Sequence, residues 1–252
     1  MAVPHDSMQH FSSDGLSTLV LAYVVSVVGS LIGLACMARA QAEPERAAKA
    51  RWTAFGAVAI GGVAIWLMHF IAMLGFDVPG AAVKYSAPLT ALSAVVAIGV
   101  VGVGLSLVTL VRFTRMRLLL AGLLAGLGVA GMHYLGMSAI RFRGELGYDP
   151  ALVALSCVIA VVAATAAFWF TLVVKTTSAR VAAGLIMGVA VTGMHYTGMA
   201  AVRVTTDPTI AAPQGTAVFD LVFPVFVTSA LVVAALLWML FTSDDDVLGE
   251  AA

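Results

Sequence analysis

Seven stretches of this chain each run for more than twenty residues without an Asp, Glu, Lys or Arg: Leu16–Ala38, Thr53–Phe76, Pro88–Val111, Leu118–Ile140, Ala151–Val174, Val181–Val202 and Leu221–Phe241. A hydrocarbon layer about 30 Å thick is crossed by ~20 apolar residues in helical form, so each stretch has the length of a membrane span. Composition agrees, with 62% of the 252 residues hydrophobic and 10% charged, against about 45–50% apolar in soluble domains. A water-soluble fold is excluded. The predicted class is all-α, a polytopic bundle of seven transmembrane helices in residues 16–241, flanked by an outer polar tail (1–15) and an acidic tail (242–252). The 13 basic and 13 acidic residues cancel, which leaves no basic field for nucleic acid. The first apolar stretch is too long for a signal peptide core and no Lys or Arg precedes it, so it is read as a retained span.

Orientation follows from the excess of Lys and Arg in cytoplasmic loops. One rim carries Arg39, Arg46, Lys49, Arg51, Arg112, Arg115, Arg117, Lys175 and Arg180, and the other carries Lys84, Arg141, Arg143 and Arg203. The bias places the N-terminus outside and the C-terminus in the cytoplasm. Cys36 and Cys157 then fall near opposite ends of their spans and are not expected to pair.

His69, His133 and His195 recur at intervals of 64 and 62 residues in matching blocks, Met68-His69-Phe70-Ile71-Ala72-Met73, Met132-His133-Tyr134-Leu135-Gly136-Met137 and Met194-His195-Tyr196-Thr197-Gly198-Met199. The preceding spans match more loosely through Ser93 and Ser156, with Tyr23 near the equivalent place. The unit reads as a helical hairpin repeated three times, followed by one extra span. All three units run the same way through the membrane, so a pseudo-threefold axis along its normal can relate them. The histidines share one depth, in the outer leaflet. Gly29-x-x-x-Gly33, Gly122-x-x-x-Gly126 and Gly184-x-x-x-Gly188 provide close helix contacts.

On an α-helix a residue and the one four positions later stand about 40° apart. Met73, Met137 and Met199 therefore share a face with their histidines, whereas Met68, Met132 and Met194 are rotated by roughly 100°. Three helices offering imidazole and thioether to one axis form a candidate metal site. Thioether is a soft donor that favours Cu(I), and no carboxylate lies at that depth, so the donor set argues for copper. Hydroxyls of Tyr23, Ser93 and Ser156 are candidates for orienting the imidazoles. Taken alone, one such block is ordinary helix packing with Met as a filler. Three copies at matched depth point to a shared site, because ionisable groups inside a membrane are costly. His5 and His10 lie in the outer tail, where they are solvated or cap the site.

The literal Met194-His195-Tyr196-Thr197, its two relatives and the seven spans resemble the MHYT domain, a bacterial integral membrane sensor module. The resemblance runs from about His10 to Phe241. It implies a plasma-membrane sensory domain that binds copper through Met68, His69, Met73, Met132, His133, Met137, Met194, His195 and Met199, and through it detects oxygen, carbon monoxide or nitric oxide. Phe70 and Ala72 depart from the Tyr and Gly of the other copies. Many relatives carry a cyclic-di-GMP enzyme, kinase or DNA-binding domain after the last span. Here the expected route of output is a separate signalling partner, and the chain itself is not expected to be an enzyme. Two other readings stand beside the sensor, a Cu(I)-handling protein and a zinc-dependent membrane hydrolase. The second lacks the carboxylate that such chemistry uses.

Overall fold

The computed structural model describes residues 15–78 and 80–249, with side chains at the C-terminal end described as far as Thr242. His5, His10 and the acidic cluster Asp244 to Asp246 therefore lie outside what is described of side chains. The helices are α1 (Gly15–Ala42), α2 (Arg46–Ala57) continuing through a π-helix (Val58–Leu67) into α3 (Met68–Met73), α4 (Ala87–Thr109), α5 (Arg115–Ser138), α6 (Pro150–Val173), α7 (Thr177–Ala200) and α8 (Val218–Gly249). With α2, the π-helix and α3 counted as one, seven helices among the described residues are long and apolar enough to cross a membrane. Local chemistry sets several starts. Thr114 accepts from the Arg117 N–H, Thr176 from that of Ala179, and Asp149 from those of Ala151 and Leu152, each satisfying amides that a helix leaves open. Pro150 stands in the first turn of α6, where its missing N–H costs nothing.

Six of the spans close into a ring. In order around it stand α1, the α2–π–α3 helix, α4, α5, α6 and α7, with α7 returning to α1, while α8 leans from outside on α1 and the π-helix. The outward faces carry exposed stripes at helical spacing, such as Leu119, Leu123 and Leu127 on α5 and Val181, Leu185 and Val189 on α7. So much apolar surface is compatible only with lipid. The paired glycines serve the expected contacts. A Cβ on Gly29 would strike the Ala64 backbone, and one on Gly126 the Val161 backbone. Cys36 is buried, Cys157 is half-buried, and both are free.

Two features were not predicted. The first is the π-helix, a rare form that marks one extra residue in a helix and frequents functional sites. Its register shows what it absorbs. Gly126, seven residues before His133, touches the α6 backbone at Ala160 and Val161, whereas the matching contact with the α4 backbone at Ala97 and Ile98 is made by Gly61, eight residues before His69. The π-turn takes up that residue and returns His69 to the axis. The helix also starts at Arg46, seven residues before the apolar stretch.

The second is a small β-cap at the end of the bundle that carries Lys84, Arg141, Arg143 and Arg203. Strand β1 (Lys84–Tyr85) pairs with β2 (Ile140–Arg141), and β3 (Gly144–Tyr148) with β4 (Val202–Thr206), both antiparallel. Tyr85 also bridges to Thr216. Three connecting loops are thus stitched together over one end of the ring. Asp149 joins the cap to α6, accepting from Arg203 at 2.7 Å. The Leu152 and Ala151 amides, then the Arg203 guanidinium, hold its carboxyl below the usual range. Burial pushes the Tyr85 phenol up to about 12, so it stays protonated and donates to the Met73 carbonyl.

Candidate metal centre

The repeat geometry converges on three imidazoles. His69 sits in α3, His133 in α5 and His195 in α7, and they are 4%, 0% and 1% exposed. Their ring centroids form a nearly equilateral triangle with sides of 5.1, 5.0 and 5.0 Å, and the rings meet at 78°, 74° and 88°. That is the pseudo-threefold arrangement expected of three parallel copies. All three turn Nδ1 inward. His69 Nδ1 stands 3.1 Å from His195 Nδ1 and 3.3 Å from His133 Nδ1.

Hydrogen bonding alone does not satisfy this cluster. A ring nitrogen carries either one proton or one in-plane lone pair, so His69 Nδ1 cannot make two good bonds to the two nitrogens it faces. Nε2 of His133 and of His195 are also buried without a partner, and an ion held at Nδ1 leaves them so. A shared cation would engage all three lone pairs at once. Three nitrogens bound at about 2.0–2.1 Å to one ion stand roughly 3.3–3.6 Å apart, within a few tenths of an ångström of the spacing of His69 Nδ1 from its two neighbours. Among the described residues these histidines are the one group of three or more His, Cys, Asp or Glu close enough to hold an ion. The residues therefore fit a single metal ion bound through Nδ1.

The small residue three places after each histidine has a steric reason that sequence analysis missed, although the motif displays it. A Cβ on Gly136 would collide with Nε2 of His69, and one on Gly198 with Nε2 of His133. His69 and His133 thus rest their outer edges on the next motif helix, which drives Nδ1 toward the axis. Ala72 holds the corresponding place in the first motif. Gly136→Ala or Gly198→Ala should displace a ring at an overpacking cost of about 1–3 kcal/mol and lower metal content, whereas Ala72→Gly should leave it intact. Elemental analysis with thermal melting checks both. Undiminished metal in both Ala variants would remove the cradle from the site.

All six motif methionines are buried, and they divide as the face argument expects. Met73, Met137 and Met199 meet in one cluster beneath the cap, packed with Phe76, Tyr85, Ile140 and Phe142. Met132 and Met194 lie in the large core below the histidines, and Met68 in a third cluster on which α8 packs. The orienting hydroxyls are placed otherwise than expected. Ser93 accepts from Trp66 Nε1 at 2.9 Å and donates to the Thr90 carbonyl, while Ser156 pairs with the Tyr134 hydroxyl at 2.8 Å. Tyr23 packs its ring over Gly188. The serines tie aromatic residues of the motif helices to neighbouring spans and do not reach the imidazoles.

Three consecutive matches to the MHYT family model, described as a bacterial signalling protein N-terminal repeat, cover residues 62–121, 126–184 and 188–251. Each begins seven residues before its histidine. So phased, the repeat is a motif half-helix followed by the next span, and α1 is the additional helix in place of α8. The chain is 39% identical over 185 residues to the bifunctional diguanylate cyclase/cyclic di-GMP phosphodiesterase MucR of Pseudomonas aeruginosa, covering 71% of this chain and 27% of that protein. It is 37% identical over 171 residues to the cyclic di-GMP phosphodiesterase NbdA of the same organism, covering 66% and 21%. To the signaling protein YkoW of Bacillus subtilis it is 35% identical over 173 residues, covering 64% and 20%. The matched segment thus spans about a quarter or less of these relatives. No solved structure matches the chain.

Proposed function

The chain belongs to the MHYT family of multi-pass membrane signalling domains, and from that premise we propose that it is a sensor whose receptor centre is one copper ion held by Nδ1 of His69, His133 and His195. The observation that carries this reading is the convergence of three Nδ1 atoms, one per repeat, at ligand spacing. Thioethers of Met73, Met137 and Met199 form the soft layer one turn toward the cap, and Met68, Met132 and Met194 flank the centre from below. Bound copper would supply a reversible redox change and an open position for a diatomic molecule such as oxygen, carbon monoxide or nitric oxide. The protein's own part is to aim the three nitrogens, keep charged groups at a distance and exclude water. Burial of the triad beneath methionines and a stitched cap favours retention of the ion over its transfer.

The relatives' cyclic-di-GMP activities suggest the kind of output to which such a centre is coupled. In this reading the chain is not itself an enzyme. It acts on a separate signalling partner at the rim rich in Arg and Lys, which is cytoplasmic, with the β-cap outside the bacterial plasma membrane. A reporter fused after Ala252 should be active only in the cytoplasm, and tags near Val83 and Gly147 should be reachable from outside. Reversed accessibility would overturn the orientation. The function itself is tested by elemental analysis of the purified protein, with spectra before and after reduction and addition of carbon monoxide. Copper with a gas-sensitive spectrum is expected. Zinc alone would point to hydrolysis, and copper that exchanges freely and ignores gases to copper handling.

A further inference from the structure

One helical turn inward of the triad the axis is hollow. A cavity of about 40 Å³ lies among Ile65, Val129 and Val191, which are the residues four positions before His69, His133 and His195. The spacing sets it about 6 Å from the imidazole layer. Its lining is almost wholly apolar. The exception is Ser30 of α1, which is fully buried and whose Oγ has no hydrogen-bond partner. One wall is formed by Ala163, Ala164 and Ala167 of α6, all only half-buried, so that side approaches the lipid-facing surface. The opposite approach, through the cap, is closed by the methionine cluster.

We propose that this axial cavity docks one uncharged diatomic molecule, which enters from the bilayer past the α6 alanines and takes a single hydrogen bond from Ser30. The proposal rests on the sensor reading and adds a place where the sensed molecule waits beside the centre. Water is a poor occupant. It needs two to four polar partners to remain in a buried site, and cavities lined by aliphatic groups stay dry and take up apolar guests such as xenon. Here one hydroxyl is offered in about 40 Å³. A small, weakly polar molecule that accepts one hydrogen bond matches both the volume and the lining, and the membrane interior is where such molecules concentrate.

Xenon is the probe for the cavity, applied under pressure to the copper-free protein and located by diffraction or by xenon magnetic resonance. One atom should bind in the axial cavity. Ala164→Phe, or Ala167→Leu if the first variant fails to fold, should weaken that binding by at least about tenfold by filling the space. Ordered water in the cavity under xenon, or binding indifferent to both variants, would overturn the proposal. Carbon monoxide docked at low temperature should show a C–O stretching band that shifts in Ser30→Ala, and an unmoved band would remove the serine from the site. Because neither measurement uses the metal, a protein that purifies without copper defeats the sensor reading while leaving the cavity result standing. Copper without xenon uptake defeats the cavity alone.

Discussion

Replacing any one of His69, His133 and His195 by Ala should lower bound copper by at least about tenfold, and replacing two together should lower it little further, because three ligands sharing an ion would act as one unit. The expectation follows from the triangle of rings 5.0–5.1 Å apart. With two nitrogens left, no carboxylate, cysteine or further histidine among the described residues stands ready to replace the third. The methionines should separate by layer. Met→Leu nearly conserves volume, so at Met73, Met137 and Met199 it should reduce Cu(I) affinity with little change in melting temperature. At Met68, Met132 and Met194, which pack in other clusters, the same change should matter less. Elemental analysis and competition with a Cu(I) chelator check both sets. Full copper in all three histidine variants would remove the site, and equal effects from the two methionine sets would remove the layering.

Deleting Gly62 should be tolerated, which is not expected of a residue in the middle of a membrane helix. A deletion in an α-helix turns everything beyond it by roughly 100°. The π-helix Val58–Leu67 already holds the surplus residue, and without it Gly61 stands seven residues before the histidine, as Gly126 does in α5. The shortened protein should fold with α-helical geometry there and keep its metal within about twofold, since His69 returns to the axis. Deleting Leu127 from α5, which has no π-turn, should instead swing His133 out of the triangle and abolish binding. Metal content and thermal melting of the two deletions decide the matter. Loss of metal on removing Gly62, or retention on removing Leu127, would show that the π-turn does not absorb the insertion.

Much of this was legible because membrane helices announce themselves by length and the repeat by His69, His133 and His195. Equal depth and the inward face of each histidine follow from helical periodicity and parallel repeats, with no knowledge of packing. The π-turn was illegible from one helix, yet comparison of Gly61 and Gly62 with Gly126 holds its signature. The cap was hidden because β1 and β2 have two residues each, too few for a periodic signal, and their pairing joins loops far apart in sequence. The error over Ser93 and Ser156 has a simple cause. Shared depth does not imply shared direction, and these serines face Trp66 and Tyr134 on adjacent helices.

The ring is closed by its first helix, with α1 occupying between α7 and α2–π–α3 the seat that the repeat would give to α8. Biosynthesis therefore imposes an order on the centre. Between emergence of α1 and of α7, roughly 8–30 seconds pass at synthesis rates of about 5–20 residues per second. Throughout that time the ring is an open arc, and the imidazoles already inserted lack the third. Only when α7 docks on the waiting α1 do the three nitrogens share an axis. If the triad holds an ion, as proposed, loading must follow the closure of the ring, and a chain that has acquired its ion is one whose first and sixth spans have found each other.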